Sequence, residues 1–467
     1  MEHIIIIGAG PGGLALAMNL SQNNKRKITI IEKSKYAGGS WKSYFLNDKY
    51  FCEHSPQVLF SSYDKFFDLL EILKINKNNY IVKTDKNTIL FYHKMIKFIL
   101  KYFNIVDLVK LIILIIIKNI FNINMTVKEV IDKFKFSDGA SKALTIITLA
   151  LADIPEKVLF NNIKFLNSDY LIQINDKNLF INKMISYLEK RNINLLLNSE
   201  VVELSGDKKI KKCYYINKNI KKSIEADKFI IATQPISLYN IIKNNIFTQN
   251  NWKPIEKFKK WAYYSSYYSL AFQLHFTEKL DWKTEWGWTM NSPWYIITLP
   301  ISDFINNFTK DPEIKTVWSC TIINGKYKSP RLNKTADECN LKEIEEEVVY
   351  QLSKEYGKEL KPKIVTFNPS VKLKNGKYIS SGSGTVITKM GKINFKGKIN
   401  NLFTIGCHTM NGIATLDLTL ESAMDFTKKY FPKDKILLKG KSFNSKIFYL
   451  LFIIFFIIYF YFLYSKK

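Results

Sequence analysis

Four glycines in the run Gly8-Ala9-Gly10-Pro11-Gly12-Gly13 interrupt an apolar chain start, and a carboxylate, Glu32, follows about 20 residues later. Residues of these types at this spacing can hold an adenine dinucleotide. Gly8 permits a tight strand-to-helix turn, and Gly10 removes a side chain where a pyrophosphate must approach the backbone. Gly13 lets helix and strand pack closely. Amides at the start of the helix, with its positive end, then face the phosphates. A carboxylate at Glu32 can accept from ribose hydroxyls. The elements needed to position these groups are legible around them. Ile4–Ile7 reads as a buried parallel strand, being short, continuous and β-branched. Leu14, Leu16, Ala17 and Leu20 predict an amphipathic helix, and Lys27–Ile31 a second strand ending at Glu32.

The stretch after the carboxylate, Lys33-Ser34-Lys35-Tyr36-Ala37-Gly38-Gly39-Ser40-Trp41, resembles the flavin-dependent amine oxidase superfamily, with its phytoene desaturase-like and protoporphyrinogen oxidase-like members. In that group a Gly-Gly pair follows the ribose-binding acid, usually with an arginine next. Here Ser40-Trp41 takes that place, and Gly-Gly-Ser-Trp is also similar to flavin monooxygenases. Asn192–Leu204 looks like the strand that passes the adenine, with Val201 at the position whose backbone contacts it. Lys208–Ile231 reads as a strand pair, and Ala226–Pro235 as the strand returning to the nucleotide domain. Asn400–Phe426 resembles the C-terminal flavin motif, with Leu402–Ile405 as the strand and Gly406 as the turn. A helix beginning near Thr415 and Leu416 would point its amides at the flavin, stabilising negative charge on the reduced ring. The family usually carries an acid after that glycine; this chain has Cys407, then His408, which read as loop residues beside a cofactor.

The resemblance implies an α/β fold, a discontinuous Rossmann-like FAD-binding domain with an inserted α+β substrate domain, to which the apolar run near the C-terminus adds a transmembrane helix. The expected boundaries are 1–60, 175–240 and 365–432 for the FAD-binding domain, and 61–174 and 241–364 for the substrate domain. Residues 433–446 are a linker, and 447–464 a membrane tail anchor. The implied cofactor is FAD, and residues Gly8, Gly10, Gly13, Glu32, Lys33, Gly39, Ser40, Trp41, Val201, Gly406, Thr415 and Leu416 are expected to bind it. No metal is expected.

In the substrate region, Ser265–Phe276 alternates and Thr316–Ile323 is a β-branched and aromatic run, so sheet is expected there. Trp282, Trp286, Trp288 and Trp294 line an apolar pocket or fill a core. Lys110–Phe121 is too short for a bilayer, which needs about 20 residues. It reads either as a helix at the membrane interface with snorkelling lysines or as a buried core helix. His54 reads as structural. The glycines of Ser381–Gly391 follow a poor strand and read as a turn rather than a second nucleotide motif.

The formal net charge is +28, but only Arg26, Arg191 and Arg331 among the 69 basic residues are arginine. Nucleic-acid readers favour the bidentate arginine fork, so no nucleic-acid partner is expected. Lysine suffices as a point charge against an anionic membrane. Cys52, Cys213, Cys320, Cys339 and Cys407 are scattered and odd in number, which fits a reducing compartment. A first strand at His3 leaves no room for a signal peptide. Ile447–Tyr464 is an apolar run of 18 residues, bounded by Lys446 on one side and Lys466 and Lys467 on the other. As a helix it would be about 27 Å long, close to the hydrocarbon thickness of about 30 Å. These features lead to a single-pass, tail-anchored FAD-dependent oxidoreductase with its catalytic domain in the cytosol. It would take a hydride onto flavin N5 from a lipophilic or amine substrate. An NADPH-dependent flavin monooxygenase and a catalytically silent FAD-binding scaffold are the alternatives.

Overall fold

The computed structural model describes residues 1–57, 59–83, 100–120, 124–147, 158–160, 171–267, 270–281, 292–323, 325, 327–368, 371–374, 377–380, 384–412 and 414–439. Along the chain come β1 (Glu2–Ile7), α1 (Pro11–Leu20), β2 (Arg26–Ile31) and the hairpin of β3 (Tyr44–Leu46) and β4 (Tyr50–Cys52). Helices α2 (Asp64–Ile72), α3 (Ile105–Ile120), α4 (Val127–Phe134), α5 (Asp138–Ile147) and α6 (Leu179–Glu189) follow. Then come β5 (Asn194–Leu196), β6 (Ser199–Gly206), β7 (Ile210–Asn217), β8 (Ile220–Glu225) and β9 (Lys228–Ile231). The last part holds β10 (Leu270–Phe276), β11 (Ile296–Pro300), β12 (Thr316–Ile322), α7 (Leu341–Tyr356), β13 (Ile364–Phe367), β14 (Leu402–Thr404) and α8 (Leu416–Tyr430).

A five-stranded sheet in the order β14-β9-β1-β2-β5 forms the nucleotide half, and its paired strands all run parallel. Its strands come from the start, middle and end of the chain, so this half is discontinuous. Ile4, Ile5 and Ile6 are wholly buried because helices cover one face and helices with the strands at Ser199–Gly206 and Ile210–Asn217 cover the other, as a central parallel strand requires. Helix α1 departs from the expected amphipathic pattern, since every residue from Pro11 to Leu20 is buried. It packs between α8 and α6, so it has no face for water.

The segment expected to be one strand at Asn192–Leu204 is two. Chain direction changes at Asn198, with φ of 50°, and β5 joins the parallel sheet while β6 joins a separate antiparallel meander, β8-β7-β6. Beyond β6, Lys208–Ile231 holds the expected pair, β7 and β8, and then β9, the strand expected at Ala226–Pro235, which returns beside β1. Two expected boundaries fall inside packed units. Residues Phe66, Leu69 and Leu70 of α2 share the core of α1 and α8, and β13, from Ile364, is an edge strand of the second sheet.

That second sheet is antiparallel, ordered β11-β12-β10-β13, and α7 covers one face through Ile344, Val348 and Leu352. The expected alternation does not become an exposed face, because every residue of β10 and β12 is buried. The other face carries Gln273, His275, Ser319 and Thr366 and lies against the β3–β4 hairpin. Trp294 belongs to this core, with its indole N–H donating to the Tyr327 carbonyl at 3.0 Å; Trp282, Trp286 and Trp288 lie outside the described residues. So does the apolar run 447–464. Among the described residues, no helix is long and apolar enough to cross a membrane.

Candidate dinucleotide site

The glycine turn between β1 and α1 is tight for reasons visible in its contacts. Gly8 has φ of 108°, and a Cβ there would stand 2.7 Å from the Ala232 carbonyl oxygen. A Cβ at Gly13 would stand 2.1 Å from the Gly8 carbonyl oxygen, so only hydrogen lets α1 sit this close to β1. Gly10 differs. Its φ of −72° suits any residue, and a Cβ would meet nothing within 4 Å. The fold therefore makes no demand for glycine at 10, and the space beside it is open at the amino end of α1. No side chain caps that helix end among the described residues. Close by, the Thr233 hydroxyl is buried without a partner among the described residues, and its methyl lies 3.1 Å from a Cβ built on Gly8.

The second glycine turn closes on the first. The Gly38 amide donates to the Ala9 carbonyl at 2.8 Å, and a Cβ on Gly39 would lie 3.2 Å from the Gly10 Cα. Ser40 offers its carbonyl to the Gln57 side-chain amide at 2.8 Å. The Trp41 indole packs edge-on against Phe180 of α6, with centroids 5.7 Å apart, which pins the turn to the nucleotide half. Neither turn itself carries an arginine or lysine, although Lys42 follows the second and Lys65 lies 3.7 Å from Asp417 in the first turn of α8.

Helix α8 supplies a second helix amino end. Gly12 lies so close that a Cβ would be 2.7 Å from the Thr419 methyl, while Asn19 reaches Thr427 at 3.4 Å. Residues early in α1 thus meet residues early in α8, and later ones meet later ones. The helices run parallel, and both amino ends open at the carboxyl end of the sheet, where open α/β sheets bind ligands. Thr415 caps α8 by accepting from the Leu418 amide at 3.2 Å, and Leu416 is buried beneath it. Gly406 turns the chain out of β14 at φ of 136°, donating its amide to the Ser422 hydroxyl at 2.9 Å.

Glu32 is buried at the end of β2. It accepts from the Ala9 amide at 2.8 Å and from the Ser34 amide at 2.9 Å. A carboxylate has about four lone-pair sites, so this one is oriented and still able to accept from hydroxyls. Lys33 next to it is exposed. Val201 lies on β6 opposite Tyr215, with its side chain in the core beside Ile31 and Leu204. The structure therefore brings Gly8, Gly10, Gly13, Glu32 and the turn of Gly39 and Ser40 together at the carboxyl end of the parallel sheet, with Thr415 and Leu416 at the second helix end. It points the Trp41 ring away into the α6 contact.

Cys407 and His408 lie buried in the turn after Gly406. The Cys407 thiol lies 2.9 Å from the Thr419 hydroxyl, and burial raises its pKa. The His408 ring sits 2.8 Å from the Thr404 hydroxyl and edge-on to Trp261, and burial lowers its pKa to about 3. Burial likewise lowers that of His54 to about 4.

One constellation was not legible in the sequence. Glu53 and Lys177 are 1% and 2% exposed with Nζ 3.8 Å from Oε2, and neither Glu53 oxygen has a hydrogen-bond partner among the described residues. Burial raises the Glu53 pKa against the opposing pull of Lys177, and burial lowers that of Lys177, so both shifts favour the neutral forms. The Gln273 side chain brackets the Glu53 backbone, accepting from its amide at 3.2 Å and donating to its carbonyl at 3.3 Å. The pair thus occupies the junction where the second sheet meets the loop leading from the Gly38–Trp41 turn. Positions 53, 177 and 273 lie on three separate segments, and no local spacing connects them.

The parallel sheet and its glycine turns together define the Rossmann class of dinucleotide-binding fold. Residues 6–73 match the family model described as an NAD(P)-binding Rossmann-like domain. Over 61 residues the chain is 38% identical to the all-trans-zeta-carotene desaturase of Myxococcus xanthus, covering 13% of this chain and 11% of that protein. Among solved structures, a Pyrococcus furiosus protein superimposes with a TM-score of 0.60 at 15% identity, over 94% of this chain and 99% of that one. A protein from Exiguobacterium sp. 255-15 assigned as a protoporphyrinogen oxidase gives 0.57 at 12% identity, covering 92% and 99%. Putrescine oxidase bound to putrescine gives 0.58 at 10% identity, also over 92% and 99%. At 10–15% identity the likeness to these solved structures is one of fold.

Proposed function

We propose that the chain is an FAD-dependent oxidoreductase that oxidises a lipophilic or amine substrate and is tethered to a membrane by the run at 447–464. The observation that carries the cofactor reading is the pair of parallel helices, α1 and α8, which start side by side at the carboxyl end of the sheet near the vacant side-chain space of Gly10. Bound there, FAD would supply a two-electron hydride acceptor at N5. Gly10, Gly39 and the first amides of α1 would hold the pyrophosphate. Glu32, already oriented by Ala9 and Ser34, would hold the ribose hydroxyls. The end of α8 at Thr415 and Leu416 would face developing negative charge. Glu53, Lys177 and Gln273 are positioning residues that fix the substrate-side sheet against the second glycine turn. The lipophilic reading is supported by the C-terminal run and by the names of a carotene desaturase and a protoporphyrinogen oxidase among the relatives; the amine reading is supported by putrescine oxidase.

The test is the absorbance spectrum of the purified, detergent-solubilised protein. Flavin bands are expected, and Glu32→Gln, which keeps an acceptor for the loop, should weaken FAD retention. A preparation that stays colourless when supplied with FAD overturns the proposal. Rapid bleaching of the bound flavin by NADPH would turn the reading to a monooxygenase.

A further inference from the structure

Helix α3 wears its polarity inside out. Ile105, Val106, Val109, Ile113 and Ile116 are between 43% and 59% exposed. At 100° per residue they fall within one arc of about 100° along the helix. The opposite face packs into a core through Leu108 and Leu114, against Val127, Val130 and Ala140 of the next two helices. Asp107 and Lys110 of α3 also bond within the protein. Asp107 is 1% exposed and accepts from the Ser137 hydroxyl at 2.5 Å and the Ser137 amide at 3.1 Å. Lys110 does not snorkel outward; its ammonium donates to the Lys135 carbonyl at 2.5 Å and lies 3.9 Å from Asp107. A helix whose outer face looked onto water would carry those groups outside and the aliphatic ones within. The two sequence readings of this segment, core helix and interface helix, each describe one of its faces.

We propose that the outward face of α3 lies in the interfacial region of an anionic membrane, as a contact separate from the C-terminal run. The occupant follows from charge and from chain length. Lys101, just before α3, is exposed, Asp107 is the only acid in the helix, and the chain's net charge is +28. Because Asp107 is buried, no carboxylate of α3 opposes an anionic headgroup. The apolar stripe supplies burial and the basic excess supplies attraction, which is the division of labour of an interfacial helix. An apolar run at 447–464 would keep the protein body at such a surface, where a face of this kind gains most from burial. This inference extends the membrane reading above but does not depend on the cofactor.

The experiment uses the full chain with Val109→Cys carrying an environment-sensitive fluorophore. All five native cysteines are buried, so the label is selective. Protein is reconstituted into vesicles of 70% phosphatidylcholine and 30% phosphatidylserine, with Lys209→Cys on the β6–β7 turn as the control label. The expected result is a blue shift of the Val109 label and its quenching by a lipid-borne quencher. The Lys209 label should remain unchanged, and the effect should weaken severalfold with phosphatidylcholine alone. Combining Ile105→Asp and Ile113→Asp with the label should abolish the shift. Co-flotation with vesicles reports the C-terminal run separately. Flotation with a Val109 label that stays water-like would overturn the α3 contact while leaving the tether intact. A label that shifts with protein concentration in the absence of lipid would overturn it in favour of a second copy of this chain.

Discussion

The parallel-sheet half presents backbone at the carboxyl end of its sheet, whereas the antiparallel half presents side chains to its junction with that half. In the first, Gly8, Gly10, Gly13 and Gly39 strip side chains away so that amides and helix ends can approach a ligand. In the second, Gln273, Ser319, Thr366 and the Glu53–Lys177 pair fill a dry face with polar atoms that must find one another. A backbone site tolerates no extra atom where two segments touch. A side-chain site tolerates no missing partner. Substitutions can therefore separate the two halves by the kind of failure they produce.

The largest effect is expected at Gly13. A methyl group placed 2.1 Å from the Gly8 carbonyl oxygen must force α1 off β1, and the whole parallel sheet is built on that contact. Gly13→Ala should abolish folded, soluble protein, as read by yield and size-exclusion chromatography. A normal yield would break the claim that close packing sets this residue.

On the other side of the junction, Lys177→Met should cost about 1–3 kcal/mol, because it leaves the buried Glu53 carboxyl without the amine that faces it. Adding Glu53→Leu should recover most of that loss, since two apolar residues no longer carry a desolvation penalty. Chemical denaturation of the three variants measures this. If the double variant is no better than the single, then the pair does not act as a unit and the contrast between halves loses its side-chain member.

Each half also buries a neutral imidazole: His408 in the parallel-sheet half and His275 in the antiparallel half. Burial lowers the His275 pKa to about 4, and both ring nitrogens lack hydrogen-bond partners among the described residues. A folded pKa below the unfolded value of about 6.5 means that the unfolded chain takes up the proton first. The stabilisation is complete above pH 6.5 and is lost as pH falls towards 4. For a shift of this size the loss is about 3 kcal/mol. His275→Phe should flatten that part of the pH–stability curve, measured as denaturation midpoints between pH 7 and 4. An unchanged slope would mean that other groups govern acid sensitivity.

The same contrast explains what could be read from the sequence. Gly8 to Glu32 is a local pattern, and every element it implies was found: β1, α1, β2 and the turn between them. Leu402 to Leu416 was equally readable, because a strand, a glycine and a capped helix follow one another directly. The burial of α1 on all sides was not readable, because the helices that cover it come from residues 179–189 and 416–430. Division of Asn192–Leu204 into two strands depends on a left-handed Asn198, which side-chain pattern does not announce. Glu53, Lys177 and Gln273 look like ordinary surface residue types; only tertiary structure makes them a buried cluster. At α3 the aliphatic pattern is so continuous that periodicity could not say which face turns inward.

The smallest expected change in stability is at Gly10, and it is the most informative. Its φ of −72° is ordinary and a Cβ would point into open space, so Gly10→Ala asks nothing of the fold. By narrowing the unfolded ensemble it should stabilise the ligand-free protein by about 0.4–1 kcal/mol. The same methyl would stand where a pyrophosphate must meet the first amides of α1, so FAD occupancy should fall severalfold, read by the flavin-to-protein absorbance ratio. Gly10 and Gly13 are three residues apart in one motif, yet one variant should spare the fold and lose the ligand while the other loses the fold itself. If Gly10→Ala keeps its flavin, then the open space at the helix end is not where the phosphates lie. If it unfolds, then glycine at 10 serves packing, as at 13.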